Sequence, residues 1–291
     1  MAAALGTVSI AYRAATETDI EAEHAVFASA EGDLLERHGF GWAEAPSLDR
    51  VAPILRHLRR HDADRCFVAT AEDKIVGFSA ALERDETWFL AAMFVEPTFQ
   101  GRGIGRRLFE FAFEGAPARR ITITDAIQPV SNALYAMHGL LPTTPILTFE
   151  GRRVPGAPTD LVAAPPTALG LAQLDALAYG FDRAVDHGFW ATEATPTLWL
   201  RNGAPVAYSY RWSNGRIGPL AGADEVSAAA ALRAELARQD EPWVEIPGTS
   251  RTLVETALAA GMRIAPPPGL LLLADGAEPP RSLAISSYFL F

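Results

Sequence analysis

Two rhythms of apolar residues divide the chain. Short apolar or alternating runs bounded by turn residues predict strands: Cys66–Ala71 (CFVATA), Ile75–Leu82 (IVGFSAAL) and Trp88–Val95 (WFLAAMFV). Apolar residues recurring three and four apart predict helices. Leu48, Val51, Ile54, Leu55 and Leu58 form one such stripe within Leu48–Arg60. Ile104, Leu108 and Ala112 form another, with Phe109 and Phe113 beside it. In order, the first half reads as a strand over Val8–Arg13, then a helix opening at Thr18-Asp19-Ile20 with Thr18 or Asp19 as its cap. A second helical piece over Leu34–Phe40 and a break at Pro46 precede the Leu48 helix. The three strands follow as a meander with turns at Glu72–Lys74 and Glu83–Glu86, and then comes the Ile104 helix. A strand over Arg120–Asp125, a helix over Asn132–Leu140 and a strand over Pro145–Glu150 complete this half. The pattern is of the α/β class, more closely an α+β mixed sheet, mostly antiparallel and flanked by helices.

Residues 151–166 (GRRVPGAPTDLVAAPP) hold four prolines and two glycines and read as a linker. The expected division is therefore 1–150, linker 151–166, and 167–291. After the linker come helices over Ala168–Ala178 and around Phe181–Trp190, then a hairpin of Thr197–Leu200 and Pro205–Arg211 turning at Asn202-Gly203. A strand from Arg216, a helix over Ala223–Ala237, a strand over Trp243–Ile246, a helix over Thr252–Ala260 and a strand over Leu270–Leu273 follow. This repeats the order of the first half at a period of roughly 125–130 residues, the mark of a duplication. The final Tyr288-Phe289-Leu290-Phe291 is too apolar to leave in water, so it is expected to dock as a strand or at a dimer contact.

Composition narrows the function. A length of 291 residues suits two domains, and 49% apolar residues can fill two cores. The formal charge of −10 disfavours nucleic acid as a partner. Cys66 is the single cysteine, so neither an internal disulfide nor a zinc cluster is expected, and a reducing cytoplasm fits. Neither Met1–Ile10 nor the run Leu270–Leu273 is long enough to span a membrane. A monomer or a homodimer is the expected state.

The chemistry concentrates where the Trp88–Val95 strand meets the Ile104 helix, through Gln100-Gly101-Arg102-Gly103-Ile104-Gly105. Glycines let the backbone adopt positive φ and approach a ligand closely. The first helical turn adds unpaired N–H groups and the positive end of a dipole, which suits a phosphate or pyrophosphate. Arg102, Arg106 and Arg107 add charge. This is not the dinucleotide pattern, whose third glycine falls one position later, where Arg106 stands. Nor is it a P-loop, since the only lysine of the chain is Lys74. The same residues would also serve as a plain tight connection.

Two features resemble the GNAT superfamily of N-acetyltransferases: the order of elements over about residues 8–150, and the match of Gln100–Gly105 to the Gln/Arg-x-x-Gly-x-Gly/Ala signature. Val95-Glu96-Pro97 resembles the family's Val-x-Pro end of the fourth strand. The resemblance implies acetyl-CoA as acyl donor. Its pyrophosphate would lie on the amides of Gln100, Gly101, Arg102, Gly103, Ile104 and Gly105, with Arg106 alongside. Its pantetheine arm would run beside Met93, Phe94 and Val95, where the fourth and fifth strands splay. Asn132 is implied as a contact to that arm and Tyr135 as the group that protonates the departing thiolate, a task within reach of a phenol. Asn132 and Tyr135, three apart, share a helical face.

No general base is fixed by the sequence; Glu96, Glu83, Asp85, Glu86, His138 and ordered water are the candidates. In the second half the signature is replaced by Leu220-Ala221-Gly222-Ala223-Asp224-Glu225, whose carboxylates suit a bare helix and repel a pyrophosphate. The resemblance therefore extends to a tandem arrangement with a degenerate, non-catalytic second half, in which Asp182, Arg183 and His187 read as a capped, solvated helix or an effector site. The leading expectation is an N-acetyltransferase acting on a small-molecule or peptide amine by direct attack in a ternary complex. The alternative is an acyl-CoA-binding or sensing module without turnover.

Overall fold

A computed structural model describes residues 9–41, 45–155 and 159–291. The start of the first expected strand at Val8, most of Met1–Ile10 and residues 156–158 of the linker lie outside the described residues. The chain divides into two compact units, residues 1–83 with 88–116, and residues 84–87 with 117–291.

The first unit orders its strands β1 (Ile10–Ala14), β2 (Cys66–Ala71), β3 (Lys74–Arg84) and β4 (Thr87–Val95) side by side. The β1–β2 and β2–β3 pairs are antiparallel. Two residues, Glu72 and Asp73, close the β2–β3 turn with φ of 48° and 64°, the left-handed geometry that matches strand twist. Helices α1 (Ile20–Arg37) and α2 (Leu48–His61) precede the meander, and α3 (Ile104–Phe113) follows it. Alternation along β4 sends neighbouring side chains to opposite faces. Phe94 meets Phe27 of α1 at 4.9 Å between ring centroids. Val95 lies under α3, 3.5 Å from where a Cβ on Gly105 would stand. Ile104 and Leu108 pack on Ala69, Ala71 and Val76, the stripe the spacing predicted.

Helix α1 differs from its expectation. It is one helix, not two pieces, because Gly32 and Asp33 continue the turn while Phe27, Ala30 and Leu34 hold one buried face. Its N-cap is Asp19, one of the two residues expected, and a single 3-10 turn, Glu17–Asp19, precedes it with Thr16 as its own cap. The Asp19 carboxylate accepts the Thr16 N–H at 2.7 Å, and Arg13 grips it at 2.7 and 2.8 Å.

The second unit contains β5 (Arg119–Asp125), α4 (Pro129–Met137), β6 (Leu140–Glu150), β7 (Val162–Ala164), α5 (Ala168–Ala178) and α6 (Ala184–Glu193). It continues with β8 (Thr195–Arg201), β9 (Ala204–Arg211), β10 (Ile217–Gly222), α7 (Glu225–Leu236), β11 (Trp243–Pro247), α8 (Arg251–Ala259), β12 (Arg263–Ala274) and β13 (Leu283–Ala284). One set of strands runs β5–β12–β6–β11 and the other β13–β10–β9–β8–β7. Within the linker, β7 pairs with β8, Ala163 opposite Trp199.

The last strands of the two repeats are exchanged. The last strand of the second repeat, β12, lies against β5 of the first, Leu271 opposite Ile123. The last strand of the first, β6, lies against β11 of the second, Thr148 opposite Glu245. The exchanged strands then pair with each other from Leu140↔Ala274 to Glu150↔Arg263. Both are longer than their apolar runs predict. Pro142, Pro145 and Pro266–Pro268 lie inside them, and the register shifts between Ala265 and Gly269 and between Leu271 and Leu272. The architecture is thus α+β, with mixed, mostly antiparallel sheets flanked by helices.

The final segment docks as expected. Leu283 and Ala284 pair antiparallel with Ala221 and Leu220 of β10. Leu283, Ala284 and Ile285 are fully buried, and Leu290 and Phe291 nearly so.

Candidate active site

The β4–α3 connection leaves its backbone open to approach. Gly101 and Gly103 hold φ of 75° and 80°, and a Cβ on either would meet nothing within 4 Å, so their faces are open. Gly103 caps α3 with its carbonyl, which accepts the Arg107 N–H at 3.1 Å. Among the described residues, no acceptor takes the N–H groups of Ile104, Gly105 or Arg106, the orphan donors of a helix start. Gln100 is fixed by its own side chain, whose Nε2 donates to the Val95 carbonyl at 3.0 Å.

The charges differ in their freedom. Arg106 and Arg107 both reach Glu110, at 3.0 and 3.1 Å, and their hydrogen bonds hold that carboxyl below its ordinary range. Arg102 instead donates to the Thr98 carbonyl at 3.0 Å and stacks over Phe99 at 4.9 Å. Among the described residues it has no acidic partner, so its charge is available to a ligand. Met93, Phe94 and Val95 are half-buried at the end of β4.

Asn132 and Tyr135 belong to the second unit, on α4. The Asn132 amide nitrogen faces the Asp125 and Ala126 carbonyls at 3.4 and 3.5 Å, while its Oδ1 is buried with no partner. A buried acceptor left unpaired costs about 1–3 kcal/mol, so it marks a place where a donor fits. Tyr135 is buried, and burial raises its phenol well above its usual range despite the hydrogen bond with Ser131. It therefore keeps its proton at any working pH.

Asp125, which the sequence reading passed over, ends β5 close enough for its charge to act on Tyr135. Burial first, then the like charge of Glu245, pushes its carboxyl up to about 6. The one sequence signal was its place as the acidic end of an apolar alternation, ITITD. Four of the five candidate side chains have hydrogen-bond or ion-pair partners. Glu83 pairs with Arg65 at 2.6 Å, Asp85 accepts the Asp182 N–H at 2.9 Å, Glu96 accepts from Ser29 at 3.1 Å, and His138 Nδ1 lies 2.9 Å from the Leu134 carbonyl.

Arg183 and His187 are not solvated. Asp175 takes Arg183 and His187 at 2.9 Å each and the Tyr208 hydroxyl at 2.6 Å, and His187 Nδ1 meets the Tyr210 hydroxyl at 2.9 Å. Burial alone would raise Asp175, but the Arg183 guanidinium and the hydrogen bond with His187 outweigh it and hold the carboxyl well below its usual range. These groups satisfy one another and form a buried polar core.

The site thus joins a mixed α+β sheet to a strand–glycine–helix turn with open backbone amides. Residues 28–140 match the acetyltransferase (GNAT) family. The whole chain shares its fold with a putative acetyltransferase from Pyrococcus horikoshii, at a TM-score of 0.80 and 16% identity over 100% of this chain and 99% of that one. A GCN5-related N-acetyltransferase from Sphaerobacter thermophilus is similar at a TM-score of 0.64 and 17% identity, over 93% and 98%. A tandem GNAT protein from the clavulanic acid biosynthesis pathway is similar at 0.57 and 13%, over 93% and 100%. The arrangement is therefore a tandem of GNAT-like lobes. No curated protein sequence matches the chain. No helix among the described residues is long and apolar enough to cross a membrane.

Proposed function

We propose that the chain transfers the acetyl group of acetyl-CoA to a primary amine by direct attack, with both substrates bound together. Residues 1–150 form the acetyl-CoA-binding domain in this reading, and residues 167–291 a degenerate, non-catalytic partner. The observation that carries it is the open row of unclaimed amides at Ile104–Arg106 behind two positive-φ glycines.

Acetyl-CoA supplies an activated acetyl thioester. The Gly101–Arg106 amides and the Arg102 guanidinium would bind its pyrophosphate. Asn132 Oδ1 accepts an N–H from the pantetheine arm. Met93, Phe94 and Val95 line that arm and exclude water. Tyr135 holds a proton at Oη and would donate it to the sulfur as the C–S bond breaks and the C–N bond forms, and the proton shed by the amine would restore the phenol through ordered water. An amine acceptor of small-molecule or peptide type fits this chemistry, and the acidic balance of the chain favours a cationic one.

Calorimetric titration with acetyl-CoA tests the reading. One site per chain, lost in Gly103→Asp, followed by turnover with a panel of amines is the expected result. Binding without turnover on any amine would leave a sensing module, and no binding would end the proposal.

A further inference from the structure

The second repeat has its own strand–turn–helix corner, β10–α7, and its own diverging strands, β10 and β11. These two meet at a single parallel bridge, Arg216↔Trp243, and then separate. The gap between them is filled by residues 282–285. On one side Leu283 and Ala284 pair with β10, and the Gly222 N–H donates to the Ser282 carbonyl at 2.9 Å. On the other side the Ile285 N–H donates to the Glu245 carbonyl of β11 at 3.0 Å. The Leu283 N–H reaches Ser250 Oγ at 3.1 Å. The segment is thus hydrogen-bonded along both edges, as a peptide is when it adds to open strands.

The groove is shaped for this backbone. Gly218 has a φ of 153°, and a Cβ there would stand 2.3 Å from the Ile285 carbonyl oxygen, so only glycine admits the segment. Leu283, Ala284 and Ile285 are all fully buried, so each position takes an apolar side chain. At the corner, Glu225 accepts the Ser282 N–H at 3.0 Å and the Thr252 N–H at 2.7 Å, while Asp224 accepts the Ser227 N–H at 2.7 Å. Carboxylates therefore already occupy the helix start. Farther along, the Arg183 guanidinium donates to the Phe291 carbonyl, and the Phe291 ring meets Tyr179 edge-on at 5.3 Å.

We infer that the gap between β10 and β11 is a peptide-binding groove whose ligand is the chain's own segment 282–291, seated where the corresponding corner of the first repeat takes acyl-CoA. The comparison with acyl-CoA rests on the proposed function; the groove and its occupant do not. The second repeat has exchanged a diffusible cofactor for a covalently attached strand. Its ligand class is an extended apolar peptide, as in Leu283-Ala284-Ile285.

The test uses a chain ending at Arg281 and a synthetic peptide of residues 282–291. The truncated chain should melt well below the full chain. The peptide should bind it one to one and restore the melting temperature, a Leu283→Asp peptide should do neither, and acetyl-CoA stoichiometry should stay at one. Unchanged melting, no peptide binding, or a second acetyl-CoA site on the truncated chain would overturn the inference. Where the truncated chain does not fold, amide hydrogen exchange on the full chain decides. Leu283 and Ile285 should be protected as strongly as β10, and exchange at free-peptide rates would overturn it. A chain that binds the peptide but never acetyl-CoA would refute the proposed function and leave the groove standing.

Discussion

Glu225 accepts the backbone N–H of Ser282 at the start of α7, the helix that corresponds in the repeat to α3. One corner of the duplicated fold thus binds its own chain through a carboxylate, and the other leaves its amides unclaimed. The same helix start attracts negative charge in both, and only the source of that charge differs.

Gly103→Asp places a carboxylate where φ is 80° and where the open amides point. Acetyl-CoA affinity should fall by at least about 100-fold, since the charge repels the ligand and competes for the helix dipole. Stability should fall by only ~1 kcal/mol for a non-glycine residue in the left-handed region. Titration and a urea melt on the same variant separate the two effects.

Tyr135→Phe removes the proton that burial holds on the phenol. A loss of about 100-fold in kcat with little change in the KM for acetyl-CoA is expected. Because the phenol lies above its ordinary range, the parent kcat should show no descending limb from this group below about pH 10. Equal kcat in the two proteins would remove Tyr135 from the chemistry.

Asn132→Leu discards the buried Oδ1 that has no partner. Acetyl-CoA should bind about 10-fold more weakly, the worth of one hydrogen bond, while the melting temperature holds or rises. A variant that binds as tightly as the parent would mean that the oxygen faces no ligand.

Asp125 sets a stability limb whose sign is fixed by its raised value of about 6. The folded chain keeps this proton up to about pH 6, whereas an unfolded Asp releases it near ~3.9. This group's contribution to stability therefore falls as pH rises from about 4 to about 6 and stays lost above. Asp125→Asn should match the parent at pH 4 and exceed it at pH 7. Urea midpoints at the two values check this.

Arg84 and Asp186 form a buried bidentate pair at 2.9 and 2.8 Å. Asp186→Leu strips the guanidinium of its carboxylate and should cost ~3–5 kcal/mol. Arg84→Met together with Asp186→Leu should recover most of it, a non-additivity that a double-mutant cycle in urea reads directly.

The local elements were legible because periodicity is local. The Ile104, Leu108 and Ala112 stripe and the strands Cys66–Ala71 and Trp88–Val95 needed only alternation and turn residues. The continuity of α1 was not legible, because the apolar residues of Ile20–Phe27 and those from Leu34 on look like separate stripes until Ala30 and Gly32 are seen to be buried between them. The prolines at 142, 145 and 266–268 hid the full length of β6 and β12, since a proline is tolerated where the ladder shifts register. Pairing of strands joined by a tight turn was legible, as in β2–β3 and β8–β9, but pairing across the repeats was not. Nothing in Leu270–Leu273 says that its neighbours are Ile121–Thr124 rather than the preceding strand of its own repeat. The site divides the same way. The glycine corner is a contiguous motif and could be read, whereas Asp125 gains its character from Glu245, remote in sequence. Arg183 likewise seemed solvated until Asp175, on another helix, was found beneath it.

The exchange of β6 and β12 has a consequence for inheritance. Two repeats whose closing strands are traded cannot be parted at the linker as beads on a string can: a cut there leaves each piece with a strand that belongs beside the other's. Once the trade was fixed, loss of either copy became loss of both. Each half then holds a strand that the other needs, whatever either corner binds.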